Sequence, residues 1–360
     1  MIFDIGSLVK KRILIFTEGG LKNGFGHLNR CVALSQGIAA VKAKSKREIG
    51  VIVNGDKAAQ RFLSDHKVNP IMLNWIKKRK EALVLAMGAD LVIIDSYLAP
   101  VAVYYSLYRF SFGQKKRPRK YFVAIDDYNR IEYYVDAVIN PSIYGDKISY
   151  RRYLRRSSYS KVLYLTGKDY IILRKEFWSV PKKKIRKEIK DVLITFGGIT
   201  QIRFIKKTLM FLSREFTDFN YHVVLAGRKT FSFLPVKGDS SAPIHWYSNL
   251  SAGEMKSLML KCDIAISGGG QTLYELARIG LPTIAFCFAD NQRDNLKSFV
   301  NQEFLKYAGW VYDKNSLYKV KDFINEMKYE NRMAMCRCGR ECVDGKGTGR
   351  ISKYLLSEKA

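Results

Sequence analysis

Acidic residues are scarce in this sequence of 360 residues, with 33 Asp and Glu against 62 Lys and Arg. The formal charge of +29 disfavours cationic partners and favours anionic ones: nucleotide phosphates, acidic lipid headgroups or nucleic acid. The basic residues fall in bursts at 115–120, 151–161 and 182–190, which read as solvated loops and helix faces. Weak electrostatic contact with an anionic membrane surface is the second reading of that charge, and no nucleic-acid partner is expected. Histidine is also rare. The four, His27, His66, His222 and His245, are scattered, so no preformed metal cage is expected. Six cysteines are too few for a disulfide framework in a chain of this length. Cys336, Cys338 and Cys342 form a C-x-C-x3-C cluster without a nearby His or second C-x2-C pair, and read as reduced thiols on a C-terminal helix. Long apolar runs are missing as well. The longest stretch, 91–110, contains Asp95, Pro100 and Arg109, and suits a buried strand, a turn and a helix better than a membrane span. Asp4 breaks the first apolar residues and Lys10, Lys11 and Arg12 follow, unlike a secretory signal. A cytoplasmic monomer is expected. Neither a Gly-x4-Gly-Lys-Ser/Thr phosphate loop nor a Gly-x-Ser-x-Gly elbow occurs, which removes the commonest nucleotide triphosphatase and serine hydrolase frames.

What is present is the pattern of an α/β protein. Apolar residues make up 47% of the chain, and its length suits two domains of roughly 150–200 residues each. Short apolar runs alternate with longer amphipathic stretches, as parallel strands joined by helices do. Strands are expected at 13–17, 50–54, 91–95, 121–126 and 137–140 in the first half. The second half repeats the pattern at 192–195, 221–226, 264–267 and 283–286. Each half opens with a strand feeding a glycine turn, Gly24–Gly26 in one and Gly197–Gly198 in the other. Two Rossmann-like domains, 1–180 and 181–360, are therefore expected, with the last helix packing back on the first. The charged segment 182–190 between them reads as a flexible linker or an exposed helix.

Two motifs can carry chemistry. After the first strand runs Gly24-Phe-Gly26-His27-Leu-Asn-Arg30-Cys31, a glycine turn leading into a helix. The turn permits close approach of a ligand, and the helix presents unpaired N–H groups to an anion. His27 in the first turn lies at the positive end of the helix dipole, where a neutral, proton-accepting imidazole is favoured, as a general base requires. Asp95-Ser96-Tyr97 ends a buried strand at the edge where open parallel sheets bind ligands. Asp95 either serves a ligand there or caps the next helix. Asp126-Asp127 ends the following strand with the same choice: orienting a neighbour, meeting sugar hydroxyls, or capping a helix. In the second half, Ser267-Gly268-Gly269-Gly270-Gln271-Thr272-Leu-Tyr-Glu275 runs from strand to helix and offers a diphosphate cradle. Glu275, one turn in, is placed to accept from ribose hydroxyls. Asn291 and Gln292 follow the next strand and can hydrogen-bond a polar ligand without adding charge.

These residues together resemble the PseG family, the UDP-sugar hydrolases of pseudaminic acid biosynthesis, which are related to MurG-type glycosyltransferases of the GT-B fold. The resemblance runs through Gly24-x-Gly26-His27-x-x-Arg30-Cys31, Asp95-x-Tyr97, Asp126-Asp127, 167–177, Phe196-Gly-Gly198, Gly269-Gly-x-Thr272-x-x-Glu275, Ala289-Asp-Asn291-Gln292 and Val343-Asp-Gly-Lys-Gly347-x-x-Arg350. It implies a GT-B-like α/β fold of two Rossmann-like parallel-sheet domains facing each other across a cleft, with His27 and the turn before Gln271 on either side. It also implies hydrolysis of UDP-2,4-diacetamido-2,4,6-trideoxy-β-L-altropyranose to UDP and free sugar. His27 would activate the water, and Gly24, Gly26, Arg30, Asp95, Tyr97, Asn291 and Gln292 would form the sugar side. Gly197, Gly198, Gly269, Gly270, Gln271, Thr272 and Glu275 would hold the nucleotide. No metal or other cofactor is implied. The chain departs from the family at Gly268-Gly-Gly-Gln-Thr-Leu-Tyr-Glu, where the hydrolases more often carry Ala-Gly-Ser-Thr-x-Trp-Glu, and in its basicity. Those departures suit a member with another sugar, or a glycosyltransferase working near an anionic membrane. A non-catalytic nucleotide-sugar sensor or nucleic-acid-binding relative is the third reading.

Overall fold

The computed structural model describes residues 11–42, 47–112, 120–150, 162–197, 202–225 and 242–357. The chain divides into two compact units, Met1–Arg174 with Lys346–Ala360, and Lys175–Gly345.

The first unit runs β1 (Lys11–Gly19), α1 (Gly26–Ala40), β2 (Arg47–Gly55), α2 (Lys57–Asp65), β3 (Pro70–Met72), α3 (Arg79–Met87), β4 (Leu91–Asp95), α4 (Val101–Phe112), β5 (Tyr121–Ile125), β6 (Ala137–Asn140) and β7 (Leu163–Thr166). Its strands pair in parallel in the order β3-β2-β1-β4-β5-β6-β7. Side chains alternate between the two faces, as the period of two requires. Ile13, Ile15, Ile93 and Val123 pack with Leu28, Val32 and Ile38 of α1. Phe16, Val92, Ile94 and Phe122 pack on the other face with Trp75, Tyr104 and Leu107. A sheet buried on both faces reads as unbroken apolar runs, which is why β1, β4 and β5 are legible in the sequence.

The second unit runs β8 (Asp191–Thr195), α5 (Ile202–Glu215), β9 (Asn220–Leu225), β10 (Ile244–Ser248), α6 (Ala252–Lys261), β11 (Ile264–Gly268), α7 (Thr272–Ile279), β12 (Thr283–Cys287), α8 (Arg293–Asn301), β13 (Leu305–Trp310), α9 (Ser316–Glu326) and α10 (Tyr329–Cys342). Its parallel order is β10-β9-β8-β11-β12-β13. Ala226, expected to end β9, lies outside the described residues. The six cysteines form no disulfide, and three of them lie on α10.

The last helix, α11 (Gly347–Leu355), belongs to the first unit. Gly37 of α1 makes its approach possible, since a Cβ there would stand 2.5 Å from Ser352 Oγ. Thr348 Oγ1 accepts from Leu173 N–H at 2.9 Å and donates to Leu173 O at 3.0 Å. The units part between Arg174 and Lys175 rather than after 180, because Arg278 on α7 donates to the carbonyls of Phe177 and Trp178, both at 3.0 Å. Segment 182–190 is neither a loose linker nor a helix. Lys183 Nζ donates to Leu260 O and Cys262 O at 2.8 and 2.6 Å, and Arg186 pairs with Asp191 and Asp263. Part of the charge assigned to solvated surface is thus structural. His222 is likewise structural, buried on Asp191 at 2.7 Å.

Both sheets reverse their strand order beside the first strand of the unit, between β1 and β4 and between β8 and β11. Those reversals are where doubly wound sheets open a crevice at their carboxyl ends. Among the described residues, no helix is long and apolar enough to cross a membrane.

Candidate active site

In the first unit the chain leaves β1 through two glycines with different jobs. A Cβ on Gly19 would stand 2.5 Å from Leu28, so the bare backbone lets α1 close on the sheet. Gly20 has φ +135, and a Cβ there would meet the Asp56 carboxylate at 2.5 Å. Asp56 accepts from Leu21 N–H and Ala59 N–H, both at 2.9 Å, so one carboxylate ties the loop to α2. Gly20 N–H then bonds Gly24 O at 3.0 Å, closing the loop ahead of α1.

That loop delivers His27 and Arg30 to the end of β4. Three residues apart on a helix, they share a face. His27 Nδ1 lies 2.7 Å from Asp95 Oδ1. An ionised carboxylate has no proton to give, so Asp95 places the hydrogen on Nδ1, and in the neutral ring the lone pair is on Nε2. Arg30 holds the same carboxylate through Nε at 3.0 Å and Nη2 at 2.7 Å. Nη2 also stands 2.9 Å from His27 Nδ1 in hydrogen-bonding geometry; a hydrogen donated there would need Nδ1 as acceptor, and it competes with the shorter contact of Nδ1 to Asp95 at 2.7 Å. Burial pushes the Asp95 carboxyl up, but Arg30 and His27 more than offset it and hold it below the ordinary value. Asp95 is thus a charged anchor and not the helix cap; Ser96 Oγ closes the turn ahead of α4, accepting from Leu98 and Ala99 N–H at 3.1 and 2.9 Å.

The network continues outward. Arg30 Nη1 donates to both oxygens of Asp127, at 2.6 and 2.8 Å, and the Tyr97 hydroxyl donates to the same carboxylate. Burial raises the Tyr97 phenol, with Asp127 adding to the effect, so it remains a protonated donor. Its ring meets the His27 ring edge-on at 4.4 Å. Asp126 divides from its neighbour: it accepts from Asn129 N–H, Tyr133 and Tyr150 at 2.6, 2.7 and 2.6 Å and stabilises its own loop. Glu18 completes the cluster. It is buried, accepts from Ser96 Oγ at 2.5 Å, Tyr97 N–H at 2.8 Å and Leu98 N–H at 3.1 Å, and places Oε1 4.0 Å from His27 Nε2.

The second unit carries the glycine turn between β11 and α7. Gly197, at the end of β8, has φ +62, and a Cβ on it would stand 3.2 Å from Thr272 Oγ1, so the two turns are neighbours. Gly198 lies outside the described residues. Gly269 is packed: a Cβ would strike Leu296 at 2.7 Å. Its N–H donates to Gln292 Oε1 at 3.3 Å, and its carbonyl accepts from Asn295 Nδ2 at 3.0 Å. Gln292 Oε1 also accepts from Phe288 N–H at 3.0 Å, so its carbonyl end joins two turns and only its amide nitrogen is left for a ligand. Gly270 stands in the open, with no atom nearer than 4.0 Å to an added Cβ. Gln271 and Thr272 are half-buried at the start of α7, Asn291 is exposed on the turn after β12, and Glu275 is buried. At the start of α7, Leu273 N–H donates to Gly270 O at 3.0 Å and Tyr274 N–H to Gln271 O at 3.1 Å, and the positive end of the helix dipole, which favours an anion, faces the turn. Among the described residues, no group of His, Cys, Asp and Glu is arranged to hold a metal.

The structure therefore brings His27, Arg30, Asp95 and Tyr97 into one network, and Gly197, Gly269, Gly270, Thr272 and Gln292 into another. Reading the sequence missed Glu18 and Asn295, and left Asp127 undecided. Glu18 did carry a signal: a lone carboxylate ending an apolar strand, next to Thr17, which pairs with Asp95.

Residues 192–337 match the model of the Glycosyltransferase family 28 C-terminal domain. The chain is 26% identical over 350 residues to the spore coat polysaccharide biosynthesis protein SpsG of Bacillus subtilis, covering 95% of this chain and 96% of that one. It is 27% identical over 288 residues to a Helicobacter pylori protein named pseudaminic acid cytidylyltransferase and UDP-2,4-diacetamido-2,4,6-trideoxy-beta-L-altropyranose hydrolase. That match covers 80% of this chain and 46% of the relative, so the chain spans about half its length. Among solved structures, MurG of Acinetobacter baumannii aligns with a TM-score of 0.62 at 12% identity, over 96% of this chain and 99% of that one. With its two parallel-sheet units, the protein has the GT-B fold.

Proposed function

We propose that this protein hydrolyses a UDP-linked deoxy-amino sugar at the anomeric carbon, releasing UDP and free sugar in nonulosonic (pseudaminic-type) acid or surface glycan biosynthesis. The 2.7 Å bond from His27 to Asp95 carries the reading, because it leaves Nε2 as a proton acceptor where doubly wound sheets take ligands. The printed name of the Helicobacter pylori relative supports the substrate class. In the reaction, Nε2 takes a proton from water as the water oxygen bonds to the anomeric carbon. The bond from that carbon to the β-phosphate oxygen breaks, and its electron pair leaves with UDP. Asp95 stabilises the imidazolium that forms, and Arg30 keeps Asp95 ionised. Gly24 and Gly26 let the substrate approach the loop closely, and Tyr97 borders the sugar.

The second unit holds the leaving group in this reading. The turn Gly269–Thr272, with Gly197 and Gly198, takes the diphosphate at the positive end of α7, whose dipole stabilises the developing charge. Glu275 accepts from the ribose hydroxyls, and Asn291 and the Gln292 amide nitrogen bound the sugar–phosphate junction. No cofactor takes part. The protein acts as a cytoplasmic monomer with weak electrostatic contact to an anionic membrane surface.

The test is UDP release from a panel of UDP-sugars with no acceptor added. Turnover without acceptor is expected, and a His27→Ala variant should lose about 10²–10⁴-fold of it. The family 28 domain match and the SpsG name favour a second reading, transfer of the sugar to a glycan or lipid acceptor. UDP released only when acceptor is present would establish that one instead, and binding without turnover would indicate a sensor.

A further inference from the structure

We infer that Glu18 binds the attacking water together with His27 and so selects water over an alcohol; this rests on the hydrolase reading above. Nε2 of His27 and Oε1 of Glu18 are 4.0 Å apart, and both groups are almost fully buried. Both are acceptors. A carboxylate offers about four lone-pair positions; Tyr97 and Leu98 N–H take the two on Oε1, and Ser96 Oγ takes one of the two on Oε2. One position is left, on Oε2 of a rigidly held carboxylate beside the base.

A water molecule meets two acceptors with two O–H donors. One proton goes to Nε2 as the oxygen bonds to the anomeric carbon, and the other stays hydrogen-bonded to Glu18 throughout. An alcohol has only one O–H and would leave the Glu18 position facing an alkyl group. A buried polar group left unpaired is what lets a site reject an analogue lacking a hydroxyl, and the same penalty applies here. The three bonds that Glu18 accepts serve this function by fixing where the carboxylate stands. They also hold the turn that carries Tyr97.

The experiment is turnover of a UDP-sugar accepted by the wild type, in buffer containing methanol, with free sugar and methyl glycoside separated and counted. The wild type is expected to form almost only free sugar. Glu18→Gln should lower kcat by about 10²-fold with little change in KM, and raise the share of methyl glycoside several-fold. Glu18→Asp retains the charge at shorter reach, so it should recover part of the rate and of the discrimination; it also serves if Glu18→Gln does not fold. A purely structural Glu18 would alter thermal stability or KM and leave the product ratio as in the wild type. An unchanged ratio in both variants overturns the inference while hydrolysis itself stands. A wild type that releases no UDP from any UDP-sugar without acceptor overturns the hydrolase reading and this inference with it.

Discussion

His27 stands in the first turn of α1, with Asp95 bonded to Nδ1 and Glu18 4.0 Å from Nε2. Which nitrogen carries the proton is decided by Asp95, a residue 68 positions away in the chain, and not by the helix. Asp95 matters for folding as well. Its carboxyl lies below its ordinary value in the folded protein, so the stability it contributes is present above the unfolded value of about 4 and is lost as pH falls through the folded one. Asp95→Asn leaves Arg30 with one buried charge partner fewer, and removing one member of such a pair costs about 3–5 kcal/mol. Urea unfolding at neutral pH should show a loss of that order, shrinking as the wild type is taken below pH ~4. Equal stability of the two proteins at neutral pH would remove Asp95 as the anchor.

The glycine turn between β11 and α7 separates packing from binding within one element. Gly269→Ala drives a methyl into Leu296 at 2.7 Å, and overpacking of that kind costs about 1–3 kcal/mol. Gly270→Ala meets nothing closer than 4.0 Å, so stability should change by less than about 0.5 kcal/mol. If the Gly270 backbone approaches the diphosphate, the added methyl should still weaken UDP at least about tenfold, or ~1.4 kcal/mol. Thermal melts with and without UDP read both effects; a Gly270→Ala protein that binds UDP as the wild type does would move the diphosphate elsewhere. Legibility in the sequence also divides by element. The central strands were found because burial on both faces makes them continuous apolar runs. The four strands not foreseen, β3, β7, β10 and β13, are the four sheet edges, where half-exposed residues such as those of Pro70–Met72 break the pattern. The site shows the same divide. His27, Asp95 and the glycine turns stand in local motifs, whereas the Arg30–Asp127 clamp and the Glu18 turn depend on strand order, which no local pattern carries.

For the molecule as a whole, the charge of +29 is only partly explained by structure. Lys183, Arg186 and Arg332 are taken up by backbone carbonyls and carboxylates in the second unit. The rest favours anionic surfaces. Binding to vesicles containing anionic lipid is expected at low ionic strength and should fade as salt shortens the screening length to about 8–10 Å. No binding at low salt would leave the charge without a membrane role. In the proposed hydrolysis the first unit supplies a base with its anchor and the second an anion cradle. Single-turnover cleavage in ¹⁸O-labelled water, followed by mass analysis of both products, tests that division of labour directly. Attack by a His27-activated water on the anomeric carbon predicts the label in the sugar and none in UDP; label in the terminal phosphate of UDP would contradict it.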